Sequence, residues 1–82
     1  MRRFIRDRKT KAFLAERGTW TKEMESALEF YNDNLVREAR AVFRLRSCEI
    51  YYCFGTEPSK LDFAFSLARW LKSMDSSVRT KM

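Results

Sequence analysis

The chain has 82 residues, with 17 Lys and Arg against 11 Asp and Glu, no His, and a formal net charge of +6. This length predicts one domain, and a content of 45% hydrophobic and 15% aromatic residues is typical of a folded protein rather than a disordered one. Without His the chain lacks the commonest general base and metal ligand. Its 2 Gly cannot supply a glycine-rich phosphate loop. We therefore expect no enzyme, no cofactor and no metal site.

The first predicted elements are two strands, over residues 3–8 and 12–16, joined by a tight turn. With that turn Ile5 lies opposite Leu14, and Arg6 lies opposite Phe13. One face of the hairpin is then apolar, through Ile5 and Leu14. The other face carries rings among cations: Phe4, Arg6, Arg8 and Phe13.

The middle of the chain predicts a helix over residues 34–45, capped by Asn32 or Asp33. One apolar stripe follows helical spacing along it: Leu35, Val36, Ala39, Val42 and Phe43. A second face of the same helix carries cations: Arg37, Arg40 and Arg44. Before the helix, residues 27–30 predict either a short strand or one helical turn.

The C-terminal half begins with a predicted strand over residues 48–54. Residues 61–67 alternate apolar and polar side chains, which favours another strand, although a capping box and helical spacing also fit this segment. A short helix is predicted over residues 68–74. The domain then covers residues 1–74, and residues 75–82 are predicted to be a flexible tail.

The two cysteines, Cys48 and Cys53, fall on one predicted strand. Five residues at ~3.3 Å each separate them by about 17 Å, too far for a disulfide, whose Cα atoms lie within ~7 Å. Free thiols are typical of a reducing compartment, so we predict a cytoplasmic protein. No run approaches the ~20 apolar residues of a membrane span, and we expect no membrane partner.

Together these elements predict an α+β fold: an antiparallel sheet in ββαββ order, one helix across one face, and a short C-terminal helix. The helix-covered side of the sheet would be apolar, through Ile5, Leu14, Ile50, Tyr52, Phe63 and Phe65. The opposite side would carry Phe4, Phe13 and Tyr51 beside Arg6 and Arg8. Rings among arginines on an open sheet suit base stacking with phosphate contact.

The predicted function is a small, basic, non-enzymatic binding module for RNA or a ribonucleoprotein. Clustered cations favour nucleic acid because each phosphate contact releases condensed counterions. The predicted nucleic-acid-binding residues are Arg3, Arg6, Arg8, Lys9, Lys11, Arg37, Arg40, Arg44, Phe4 and Phe13. No small-molecule substrate is evident.

An alternative is a protein-interaction or assembly module, phage-derived or regulatory, whose open sheet face docks a partner or forms a homodimer. Two further readings leave that face without a ligand. The C-terminal helix, with Trp70 and Leu71, covers it, or the strand register is shifted by one residue, which would exchange the two faces.

One resemblance rests on the motif Gly18-Thr19-Trp20-Thr21, followed by Ala27 to Phe30, a helix and a strand. Over about residues 3–67 this order is similar to small bacterial and phage proteins without a known activity. The resemblance implies that Trp20 and Phe30 are packing anchors, and it supports the ββαββ order and a strand over 61–67. The chain departs from the pattern in Lys11, where a turn glycine is common, and in its added C-terminal segment.

Overall fold

The computed structural model describes residues 1–72, which form a five-stranded antiparallel sheet in the order β3-β2-β1-β4-β5. The elements are β1 (Arg2–Asp7), β2 (Phe13–Leu14), β3 (Trp20–Thr21), α1 (Asp33–Phe43), β4 (Cys48–Cys53) and β5 (Phe63–Ser66). A short C-terminal helix begins at residue 67. The predicted α+β class is confirmed, but the order is βββαββ. The predicted tail, residues 75–82, and the end of the predicted helix lie outside the described residues.

The additional strand, β3, pairs antiparallel with β2, with Trp20 opposite Leu14. Gly18 makes the intervening turn at a φ of +78°, a left-handed conformation that L side chains rarely adopt. A Cβ there would also lie 3.1 Å from the Phe43 ring of α1. A strand of two residues has no room for the alternating pattern that predicts strands, so β3 was missed.

The centre of the sheet is β1, which pairs with β2 on one side and β4 on the other. Arg6 lies opposite Phe13, as the sequence predicts, and Ile5 lies opposite Ile50. The segment before α1 contributes one isolated bridge, between Arg3 and Phe30. The pairing of Arg6 with Phe13 confirms the predicted register of the first hairpin.

The helix α1 begins after Asn32, whose Oδ1 accepts a hydrogen bond from the backbone N–H of Leu35 at 3.0 Å. Its last residue is Phe43. The C-cap residue that follows, Arg44, adopts the left-handed conformation with a φ of 51°. The buried stripe is narrower than predicted: Val36 and Ala39 are buried, whereas Leu35 and Val42 are exposed. The sheet side of this layer is buried at Ile5, Leu14, Ile50 and Tyr52, as predicted.

The opposite face of the sheet has its own core, and the prediction that its rings are open to a ligand is wrong. Phe4 is 0% exposed and Phe13 is 4% exposed. Their centroids lie 5.7 Å apart in an edge-to-face arrangement. The short 3-10 turn Met24–Ser26 covers them, with Met24 buried among the rings. The predicted register is correct, so a shifted strand does not explain this burial.

The outer strand β5 confirms strand structure for Phe63–Ser66, and the helical alternative there is wrong. The prediction that Phe63 and Phe65 lie beneath the helix is also wrong, because they are 40% and 51% exposed. Their strand lies at the edge of the sheet. The core under α1 includes Tyr52 of β4 and Leu67 after β5, but neither the Phe63 ring nor the Phe65 ring.

Candidate nucleic-acid interface

The structure separates the predicted cations into two groups, and the first group has carboxylate partners. Arg3 donates to the carbonyl oxygen of Tyr31 at 2.9 Å, and its Nε lies 3.2 Å from Asp33 Oδ1, at ion-pair distance without hydrogen-bond alignment. Arg6 donates from Nε to Glu49 Oε2 at 2.6 Å. These two arginines hold the fold together and have less charge to offer a phosphate.

Glu49 is the acceptor at the centre of this group. It is 9% exposed and lies directly opposite Arg6 across β1 and β4. Its Oε2 also lies 3.6 Å from Lys11 Nζ, and the Arg6 guanidinium packs 4.4 Å from the centroid of the Tyr51 ring. Two cations thus neutralise one buried carboxylate.

The second group lies where β1 ends and β4 begins. Arg8 donates its backbone N–H to the carbonyl of Ser47 at 3.1 Å, which joins the hairpin to the loop after α1. A cleft of about 390 Å³ opens there, lined by Arg8, Lys9, Lys11, Ser47 and Glu49. Within residues 1–72, neither Arg8 nor Lys9 makes an ion pair.

Two further clefts continue this surface between α1 and the C-terminal helix. The first, about 180 Å³, reaches from Arg46 and Ser47 to Arg40 and Ala68. The second, about 370 Å³, is lined by Arg37, Arg40, Ala68, Leu71 and Lys72. Because the clefts share Ser47, Arg40 and Ala68, they form one continuous basic surface.

A fourth cleft, about 770 Å³, adjoins the hairpin cleft and is lined by Arg8, Glu49, Ala64, Phe65, Ser66, Arg69 and Trp70. We call the cations of the four clefts the basic end: Arg8, Lys9, Lys11, Arg37, Arg40, Arg46, Arg69 and Lys72. Arg44, also predicted, is exposed at the C-terminal end of α1. Sequence reasoning missed Arg46, in the loop after α1, and also Arg69 and Lys72, which reach the others only because β5 returns beside β4.

Exposed rings are present, but on β5 and directly after β4 rather than on the first hairpin. Phe54, Phe63 and Phe65 form what we call the aromatic row, with centroids 5.7 Å apart between the first two and 5.5 Å apart between the last two. Phe54 is 54% exposed. Within residues 1–72, β5 is the last strand and has β4 as its one neighbour in the sheet. Its place at the end of the strand order was the signal that could have predicted its exposure.

The cysteines are buried and free at opposite ends of β4. Burial raises the pKa of both the Cys48 and the Cys53 thiol, and protonated thiols are poor nucleophiles. Among residues 1–72, no three side chains of His, Cys, Asp or Glu converge on a possible metal position. The same residues contain no helix with the length and apolar character needed to cross a bilayer.

Neither Phe4 nor Phe13 can stack with a base while buried, so the first hairpin offers cations alone. The geometry instead places exposed rings next to the basic end, at Phe65. Comparison with protein-family models, curated proteins and solved structures finds no match to this chain. The resemblance noted at Gly18 to Thr21 therefore stays a prediction.

Proposed function

We propose that this protein is a non-enzymatic module that binds nucleic acid, as RNA or within a ribonucleoprotein, through the basic end. The observation that supports the proposal is charge: eight cations line four adjoining clefts, and Glu49 is the single carboxylate among the residues lining them. That carboxylate is already neutralised by Arg6 and Lys11.

The arrangement suits a chain of phosphates better than one anion. The cations come from the first hairpin, from α1 and its following loop, and from the C-terminal helix, so they are spread along a surface. Arginine forms two parallel hydrogen bonds with phosphate oxygens, and it predominates here. Each phosphate that such a surface neutralises releases condensed counterions and adds affinity.

A salt titration tests the proposal. Fluorescence anisotropy would measure the Kd of a labelled oligouridine strand at increasing salt. We expect log Kd to rise with log salt with a slope of roughly 0.7 per phosphate neutralised. A flat titration would refute the proposal.

The matched variants remove the same charge from different places. Arg40→Gln with Lys72→Gln removes two cations from the cleft beside α1. Arg17→Gln with Lys22→Gln removes two from the β3 side of the sheet, outside the basic end. We expect the first pair to lower the slope by about 1.4 and the second pair to leave it unchanged. Equal effects would show that net charge, not this surface, sets the affinity.

A protein-interaction or assembly module is the second candidate, and one observation favours it: β5 is an edge strand with exposed Phe63 and Phe65. Edge strands with apolar side chains pair readily with other chains. The face first predicted to dock a partner is covered by Met24, so β5 replaces it. Light scattering of the purified protein would detect such an assembly, and Phe63→Ser would dissociate it.

A further inference from the structure

We infer that the aromatic row is a stacking surface for the bases of a single-stranded nucleic acid whose phosphates lie on the basic end. This inference rests on the proposed function and adds the strandedness of the ligand and the residues that contact its bases. It also replaces Phe4 and Phe13, which are buried, with rings that solvent reaches.

The rings form a continuous exposed strip. Phe63 lies between Phe54 and Phe65, and it packs at a centroid distance of 5.1 Å against Tyr52, its cross-strand neighbour on β4. Tyr52 is buried in the core under α1, so the row packs against the core on its β4 side while its three rings stay exposed to solvent. Every base has an aromatic face, so such a strip stacks with bases of any sequence.

Cations stand at one end of this strip. Phe65 shares its cleft of about 770 Å³ with Arg8, Arg69 and Trp70. Within residues 1–72, neither arginine makes an ion pair. Phosphates held by these arginines would bring the attached bases to the ring of Phe65, and the neighbouring bases to Phe63 and Phe54.

The charge of the basic end and the exposed rings beside it favour a single strand over two other possible occupants, a duplex and a second copy of this chain. A duplex keeps its bases stacked on each other, so it would use the cations and not the rings. A second copy would add another chain of charge +6 beside the first, and like charges brought together across an interface oppose association. A single strand supplies both negative charge and free base faces.

The decisive experiment compares two strands of equal length and charge, one carrying uracil bases and one entirely abasic. Because stacking on one aromatic side chain strengthens binding by about fivefold or more, we expect the abasic strand, which loses stacking on three rings, to bind at least about a hundredfold more weakly. Phe65→Leu keeps an apolar side chain but removes the ring. It should weaken binding of the uracil strand about tenfold and leave binding of the abasic strand unchanged.

The matched control is Val42→Ala, a change to an apolar side chain that is also exposed, but on α1. Equal binding of the two strands, with both still sensitive to salt, would overturn the stacking inference and leave the proposed function standing. If neither the uracil strand nor the abasic strand binds, both the stacking inference and the proposed function are overturned. A dimer that Phe65→Leu dissociates would identify a second copy as the occupant and would also overturn the inference.

Discussion

The Tyr51 hydroxyl donates a 2.6 Å hydrogen bond to Oδ2 of Asp62, which joins β4 to the residue before β5. The same carboxylate accepts the backbone N–H of Phe54 at 3.1 Å and that of Ser59 at 2.9 Å. One side chain therefore closes the loop between the two strands. It also fixes Phe54, at the start of that loop, beside Phe63.

The Asp62 carboxylate should make stability depend on pH. The hydrogen bond from Tyr51 is the main cause that lowers the pKa of Asp62 to about 2, from an ordinary value of 3.8. Because the folded pKa is depressed, the stabilisation is complete above pH ~4 and is lost as the pH falls through about 2. We expect Asp62→Asn to lower the urea midpoint at pH 7 and to flatten its fall between pH 4 and 2.

Asp7→Asn is the control for Asp62, because the pKa of Asp7 is also lowered, through its hydrogen bonds with Thr10, but it does not contact Tyr51. A spectrophotometric titration separates the two. Burial, and after it the bond to Asp62, raises the pKa of Tyr51, so Asp62→Asn should lower that pKa and Asp7→Asn should not. An unchanged Tyr51 titration in Asp62→Asn would contradict the assigned bond.

The ion pair between Arg6 and Glu49 should stabilise the fold more than the pair between Arg2 and Glu29. Each arginine also packs on a ring, Tyr51 for Arg6 and Phe4 for Arg2, so the two pairs differ mainly in burial. Arg6→Ala leaves the buried Glu49 carboxylate with Lys11 alone, at 3.6 Å and without a hydrogen bond, which costs about 1–3 kcal/mol. Arg2→Ala breaks an exposed pair worth ~0–1 kcal/mol. Equal unfolding free energies in urea would contradict this ranking.

The cap at the start of α1 predicts a smaller, local effect. Asn32→Ala removes the acceptor for the backbone N–H of Leu35 and should cost about 1 kcal/mol. Asn34→Ala, inside the helix, removes no cap and favours the helix by propensity. Chemical denaturation should therefore order the proteins Asn34→Ala, wild type and Asn32→Ala, from most to least stable. A reversed order would rule out the cap.

Truncation of a phenylalanine should destabilise the protein far more in the buried first hairpin than on the exposed edge strand β5. Phe13→Ala leaves a cavity in the core beneath Met24 and should lower the free energy of unfolding by about 3–5 kcal/mol. If that variant does not fold, Phe13→Leu provides a milder loss of the same sign. Phe65→Ala removes an exposed ring and should cost under ~1 kcal/mol. A larger loss at Phe65 than at Phe13 would contradict the burial of the first hairpin.

The sequence predicted the structure correctly where the periodicity of the side chains alone determines which face of a strand they occupy. Alternation of side chains put Ile5 and Phe13 on opposite faces, and the structure agrees. Coverage of those faces could not be predicted in the same way. Met24 lies in a polar stretch, and nothing in the neighbouring sequence shows that its side chain covers Phe4 and Phe13.

In the candidate site, too, the placement of residues within one helix could be predicted from the sequence, and the placement of residues distant in the chain could not. Helical spacing puts Arg37, Arg40 and Arg44 on one face of α1, and the structure places the first two in one cleft. Lys72 joins that cleft only because β5 returns beside β4 and the chain then continues as a helix. Long-range placement of this kind depends on tertiary packing, which single-sequence patterns do not record.

The pairing of β1 with β4 carries a consequence for synthesis. Arg2 lies opposite Cys53, so pairing of β1 with β4 is complete only after residue 53 has been made. Long-range ladders of this kind close late and slow folding. During translation Phe4 and Ile5 would therefore lack their β4 neighbours until residues 48–53 have emerged.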